Sequence, residues 1–331
     1  MFKTVFIEKD CLEDFYAKNI LKKIKYQEVK TIDSIDELWG RVKKPYLQKR
    51  TTPNLFIGQK KGTLVKEAPP AYGHGQEKHF YFIHAYNCIY ECQYCYLQGY
   101  FDTPDMVFFI NHSEILNDIK SLIQEYPNAW FHAGEYSDSL ALSHITGELS
   151  LYFDFFKLYP KAKLELRSKS VNVAELIQLT PHQNIIISFT LISKQGAKEF
   201  DLKCPSVKAR IAAITKLVAC GYQIGVHFDP IIYHENFEVD YLEVMQTLGK
   251  ALPDKQLSYI SLGVVRFTKD VYREVLKNYP DSRISKFDYI KSFDGKVRYN
   301  KPMRMWMMNT VKKLLLDQGY QSDKIYYCME D

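Results

Sequence analysis

The run HAYNCIYECQYCYLQGY places Cys88, Cys92 and Cys95 within eight residues, at the spacing C-x3-C-x2-C. Thiolates this close together suit a metal centre, and a cube-shaped iron–sulfur cluster usually takes one cysteine on each of its four irons. Three cysteines leave one iron open. An open coordination position separates catalytic metal sites from structural ones. Two other readings use the same residues. A zinc site would take a fourth ligand from His74, His79 or His84, although zinc sites usually draw on two separated ligand pairs. A disulfide set would need partners among Cys11, Cys204, Cys220 and Cys328, which are scattered along the chain. The N-terminal FKTVFIEKDCLEDF carries charge inside its apolar run and lacks a small-residue cleavage site. No secretory leader is therefore expected, and a reducing cytoplasm with free thiols is.

Such a loop needs a scaffold, and the pattern from about residue 78 to 265 supplies one. Short apolar or β-branched runs at 79–86, 129–134, 163–168, 184–190, 223–229 and 257–265 predict strands. Amphipathic stretches at 113–126, 149–159, 206–221 and 239–252 predict helices between them. Near-continuous hydrophobic strands separated by helices argue for a parallel sheet covered by helices. The expected fold is α/β, an open, partial β/α barrel of about six parallel strands. Ser206 is a candidate cap for the third of these helices, and Gly221 a stop. Reactive groups in such barrels lie at the carboxyl ends of the strands, and the cysteine loop directly follows the first strand. Residues 1–75 read as an N-terminal extension, 76–270 as the barrel and 271–331 as a C-terminal hairpin and helical region.

The chain has 331 residues, 46% of them hydrophobic, and a net charge of +5. A sizeable core is within reach. No apolar stretch approaches the ~18 residues of a membrane span, so a soluble protein is expected. Basic residues cluster. Arg41 to Lys66 holds eight of them with no acid between, a pattern that fits either a phosphate footprint or a solvated arm. Residues 281–304 carry seven basic against three acidic residues, interleaved with Phe287, Tyr289, Phe293 and Tyr299. Cations beside aromatic faces suit phosphate contact with base stacking. Asp294-Gly295 predicts a β-hairpin with a type I′ turn here, either a lever into a duplex or an edge hairpin whose lysines discourage aggregation.

The cysteine loop resembles the signature of the radical S-adenosylmethionine (SAM) superfamily, in which the open iron chelates the methionine part of SAM. That resemblance implies a [4Fe-4S] cluster, SAM as cofactor, a 5′-deoxyadenosyl radical as the reactive product, and a flavodoxin- or ferredoxin-type electron donor. Ala133-Gly134-Glu135 resembles the Gly-Gly-Glu element that binds the amino group of SAM; a carboxylate suits a cationic amine. With SDSLALSHIT, GVHFDPIIYHENF (225–237) and RFTKDVYREVLKNYPDSRI (266–284), the loop resembles spore photoproduct lyase and its relatives over about residues 55–285. Those enzymes reverse a covalent thymine dimer in DNA. The resemblance implies SAM contacts at Ser137, Lys169 and Ser188, and catalytic tyrosines at Tyr94 and Tyr96, with Tyr96 relaying the radical.

Two positions depart from that pattern. The lyases donate a hydrogen atom from a cysteine three residues before the aspartate of the second-strand segment, and here that position is Glu135. A carboxylate has no weak bond to hydrogen comparable to S–H. Asp229 stands where the lyases carry a small apolar residue, and it suits either the ribose hydroxyls of SAM, a polar substrate or a structural hydrogen bond. Cys328 reads either as an inert thiol near the terminus or as a replacement donor that swings in, Cys204 and Cys220 read as packing residues, and His227 and His234 as structural histidines. A radical SAM enzyme acting on nucleic acid is the leading reading. A small-molecule or peptide substrate, or a non-catalytic iron–sulfur protein, are the alternatives.

Overall fold

The computed structural model describes residues 2–37, 52–69, 72–73, 75–98, 100–101 and 103–330. His74 and the basic residues Arg41, Lys43, Lys44, Lys49 and Arg50 lie outside these. Eight strands form the main sheet, in the order Ile325–Tyr327, Leu257–Val264, Gln223–Ile231, Ile185–Thr190, Lys163–Ser168, Trp130–His132, His79–Phe82 and Val65–Glu67. All neighbours pair in parallel except the last pair, which is antiparallel. The six expected strands are all present, and the Ile325–Tyr327 strand extends their parallel order by one. The sheet curls into an open half-barrel, with helices His112–Glu125, Leu149–Leu158, Val207–Ala219 and Phe237–Ala251 among those that cover it. Buried Ile187, Val226, Leu262, Ile214 and Leu248 belong to the core between sheet and helices.

Local chemistry sets the boundaries. The Ser206 hydroxyl accepts from the Ala209 amide at 3.2 Å and caps its helix as expected, and Gly221 ends the turn after it at φ +93°, in the left-handed region that favours glycine.

One expectation about boundaries needs correction. The run 79–86 is not one strand. Phe82 closes the barrel strand, while Ala85–Tyr86 pairs antiparallel with Met106–Phe109 in a second sheet. That sheet runs in the order Tyr26–Ile32, Phe2–Glu8, Leu55–Gly58, Met106–Phe109, Ala85–Tyr86. This second sheet therefore draws strands from both sides of the cysteine loop. Continuous hydrophobicity hid the break, because both halves of the run are buried, in different sheets.

One buried acid gives the fold a pH signature. Glu148 is 1% exposed, its Oε2 has no hydrogen-bond partner, and burial pushes its carboxyl from 4.5 up to about 7. A folded value above the unfolded one means that stability is full below pH 4.5 and is lost as pH rises through 7. The loss reaches about 3 kcal/mol, at 1.36 kcal/mol per unit. Glu148→Gln should therefore raise the unfolding free energy at pH 8 by about that amount and change it little at pH 4.5, as denaturant titrations at the two pH values would read.

Candidate active site

The cysteine loop leaves the main sheet after Phe82 and is pinned from the far side of the barrel. Glu91–Cys92 pairs antiparallel with Asp201–Leu202, and the Gln93 amide donates to the Phe200 carbonyl at 2.9 Å. Lys203 takes a left-handed φ of +59° and turns the chain so that Cys204 faces the loop. Asp201 is anchored by Arg210 at 2.6 Å, an ion pair with both side chains almost fully buried, and accepts from the Tyr94 hydroxyl.

Cys88, Cys92 and Cys95 line a single cavity of about 420 Å³ with Tyr94, Tyr96, Glu135, Ser137, Lys169 and Asp229. Eight of the residues singled out in the sequence, besides Lys169, thus meet at one site at the carboxyl end of the strands. Ser188 does not join them. It is fully buried, its hydroxyl donates to Glu165 at 2.5 Å, and it lies in a tier below the cavity. The same tier holds His132, which bonds Glu165, Tyr259 at 2.5 Å from Glu165, and His227, whose Nε2 is 2.7 Å from the same carboxylate. His227 is therefore structural, as is His234, 2.8 Å from the Ser193 hydroxyl.

The zinc alternative loses its described ligands. His79 stacks on His132 and Trp130 in the lower barrel, and His84 bonds the Ala133 carbonyl at 3.0 Å; neither lines the cavity with the thiols. A tighter metal-like group, Cys92, Asp201 and Cys204, has ligand atoms within 4.8 Å of one another. Its carboxylate is already neutralised by Arg210, which argues against a cation there. Cys204 nonetheless is no mere packing residue, since its Sγ is 3.6 Å from that of Cys92.

The three loop thiols fit an iron–sulfur cluster. Burial pushes the Cys95 thiol up to about 12 and the Cys88 thiol well above its usual value, so a cationic metal core is the partner that would favour their thiolates here. Lys169 adds a further cation. Burial opposes its charge, but Cys92 and Asp201 outweigh this and push it up to about 12, with Nζ 5.3 Å from the centre of the Tyr94 ring.

The segment after the second barrel strand is built around Asp138, the aspartate that served in the sequence only as a landmark for position 135. Its carboxylate accepts from Ser168 at 2.6 Å, from the Lys169 amide at 2.8 Å and from the Leu140 and Ala141 amides at 3.0 and 2.9 Å. Gly134 is needed because a Cβ there would come within 2.8 Å of the Arg167 carbonyl. Next to it, the Tyr96 hydroxyl donates to the Glu135 carbonyl. Burial pushes the Glu135 carboxyl up, against the pull of Arg167. Asp229 is half of a two-pronged pair with Arg266, at 3.0 Å for both oxygens, and this holds its carboxyl down despite burial. The structural alternative for Asp229 is the one the geometry favours. Arg167 and Arg266 were missed; the signal for Arg167 was its place two residues before Lys169, the spacing that turns two side chains of an extended run to the same side.

Cys328 is 3% exposed, with Sγ 3.6 Å from the Tyr72 carbonyl and 3.8 Å from Arg266. Tyr72 and Met329 line the cavity; Cys328 does not. At the rim, Ile290–Lys291 and Val297–Arg298 form the expected hairpin, and Lys296 lines the cavity. Its turn is not type I′. In the turn only Gly295 has positive φ, +78°, and its amide bonds the Ser292 carbonyl at 2.9 Å. This is the longer loop in which an ordinary turn precedes a left-handed glycine, and it leaves Phe293 91% exposed at the tip.

Comparison with known proteins agrees with this site. The spore photoproduct lyase from Bacillus subtilis is 25% identical over 289 residues, covering 85% of this chain and 83% of that protein. The Clostridium acetobutylicum spore photoproduct lyase is 22% identical, covering 91% of this chain and 90% of its own length. A solved spore photoproduct lyase variant with bound AdoMet and dinucleoside spore photoproduct superposes with a TM-score of 0.79 at 22% identity, covering 100% of this chain and 99% of that one. The shared fold follows from that superposition. The family model described as spore photoproduct lyase matches residues 1–325. The chain therefore belongs to the spore photoproduct lyase family, and with it to the radical SAM enzymes, whose cofactors are a [4Fe-4S] cluster and SAM.

Proposed function

We propose that this chain is a radical SAM enzyme that acts on DNA or another nucleic acid without the thiol chemistry of thymine-dimer reversal. The observation that carries the reading is the meeting of Cys88, Cys92 and Cys95 with Ser137, Lys169 and the hairpin residue Lys296 around one cavity. When bound, the cluster supplies the electron that splits SAM into methionine and a 5′-deoxyadenosyl radical. The protein's own part is to bind and orient. Lys169 is a cation suited to the SAM carboxylate, and Glu135 and Ser137 offer acceptors for the amine. Tyr96, held against the Glu135 carbonyl, is placed to carry a radical between SAM and substrate. No thiol lines the cavity among the described residues apart from the three loop cysteines. A flavodoxin- or ferredoxin-type protein is the electron source this reading expects.

Support for nucleic acid comes from the hairpin and from the relatives, one of which was solved in complex with dinucleoside spore photoproduct. Residues 271–331 are the candidate contact region, with Lys291 and Phe293 exposed on the hairpin. Binding to duplex DNA should weaken steeply with salt. Lys291→Glu with Phe293→Ala should reduce affinity and lower the salt slope by about 1, one phosphate contact, as fluorescence anisotropy at two salt concentrations reads directly. Salt-independent binding, or none, would instead favour a polar small molecule or peptide, a reading to which the charged residues Glu135, Arg167 and Asp229 in the cavity lend some support.

A further inference from the structure

The charged side chains of the cavity do not balance in pairs. Asp229 is satisfied by Arg266, both of its oxygens lying 3.0 Å from guanidinium nitrogens. Asp138 is consumed by backbone amides and Ser168. Arg167 has no carboxylate in contact among the described residues: the Asp229, Glu165 and Glu135 carboxylates attract it only from farther away. It is half-buried and lines the cavity. Its bonds are two, at the 3.5 Å limit: Nε to the Thr190 hydroxyl and Nη2 to the Asp229 backbone carbonyl. Among the described residues no carboxylate lies within 4.0 Å of it. A guanidinium has five N–H donors in a rigid fork that matches an oxyanion. The surrounding carboxylates keep the guanidinium charged despite burial, but at a distance that leaves most of its N–H donors without an acceptor.

Position narrows the partner. Arg167 lies in the strand Lys163–Ser168 and Lys169 just past its end; both line the cavity, and two residues of rise put Arg167 roughly 7 Å below Lys169. Lys169 sits beside Tyr94 and Cys92, at the level of the cluster loop. On the reading proposed above it is the cation that takes the SAM carboxylate. Arg167 belongs to the floor, with Thr190, Asp229 and Arg266.

We propose that Arg167 receives an oxyanion of the substrate, a phosphate or a carboxylate, at the floor of the cavity beneath SAM. The substrate of this chain is then anionic at or near its reacting end. Thymine rings carry no charge, so a dimer in DNA would meet this requirement only through the phosphodiester that joins its two sugars. The inference rests on the reading of this cavity as the substrate site of a radical SAM enzyme, and its test uses binding rather than turnover.

Calorimetric titration of the anaerobically reconstituted, SAM-loaded protein provides that test, with two matched probe pairs. Thymidylyl-thymidine against its uncharged methylphosphonate analogue reports a phosphate source. 5-Carboxy-2′-deoxyuridine against thymidine reports a carboxylate source. Wild-type protein should prefer the charged member of one pair by at least tenfold. Arg167→Gln should erase that preference, Arg167→Lys should retain part of it, and the SAM affinity of both variants should stay within threefold of wild type. Absence of preference in both pairs overturns the inference using wild-type protein alone, whatever the variants' folding. So does a preference that survives Arg167→Gln, or a tenfold loss of SAM affinity, which would assign Arg167 to the SAM carboxylate. Salt-sensitive duplex binding with no charge preference would leave the nucleic-acid reading standing and remove only Arg167's role.

Discussion

Replacing Cys88, Cys92 or Cys95 singly by alanine should lower reductive 5′-deoxyadenosine formation by at least about 1,000-fold, since even a residue that only supports a metal ligand typically costs 10–100-fold. Iron content after reconstitution should fall from about four per chain toward zero. The reason is geometric as well as chemical. All three residues line the same cavity, and with two thiolates two irons of the cube would lack a protein ligand. Cys204 is the one residue able to soften this result, because its Sγ lies 3.6 Å from that of Cys92. Residual iron in Cys92→Ala, lost again in the Cys92→Ala, Cys204→Ala double variant, would identify that rescue. Cys88→Ala and Cys95→Ala have no such neighbour among the described residues and should lose the cluster outright.

The second large effect is a gain. Glu135→Cys should raise repair of a thymine dimer of the spore photoproduct type by at least about 100-fold over wild type, a change of about 2.7 kcal/mol in the barrier for hydrogen donation. Position 135 borders the cavity beside Tyr96, whose hydroxyl contacts its carbonyl. A thiol there would carry the weak S–H bond that a carboxyl lacks, next to a tyrosine able to take up the resulting radical. Burial already pushes the Glu135 carboxyl up, so exchange for a neutral thiol does not remove a well-solvated charge. High-resolution chromatography of the digested oligonucleotide measures the outcome. Equal repair by variant and wild type, whether both active or both inactive, would show that residue 135 does not decide the donor.

The barrel was legible because its signal is local. Most of the six strands are runs rich in apolar residues, Lys163–Ser168 alternates leucine with polar residues, and Ser206 and Gly221 mark the two ends of one helix by their own chemistry. The cysteine spacing was likewise a complete statement within eight residues. What the sequence hid depends on pairing at long range. The break between Phe82 and Ala85 is invisible because the two halves are buried in different sheets. Asp229 could not be assigned without Arg266, 37 residues away, nor Cys204 without Cys92, 112 residues away. Ser188 was placed by resemblance at SAM, yet a buried Glu165 claims its hydroxyl. Glu165 itself gave no sign, since a lone acid in a strand reads as a solvent-facing residue until His132, His227 and Tyr259 are brought around it.

The central claim is that three thiols build an open cluster site that cleaves SAM, on a substrate other than the dimer which a cysteine at position 135 would repair. It is tested most directly by quantifying 5′-deoxyadenosine and remaining dimer when wild-type protein, reconstituted without oxygen, is incubated with dithionite, SAM and an oligonucleotide containing the spore photoproduct. The account predicts 5′-deoxyadenosine with the dimer intact. A fully loaded cluster that yields no 5′-deoxyadenosine, or dimer repair that keeps pace with SAM cleavage, would contradict it.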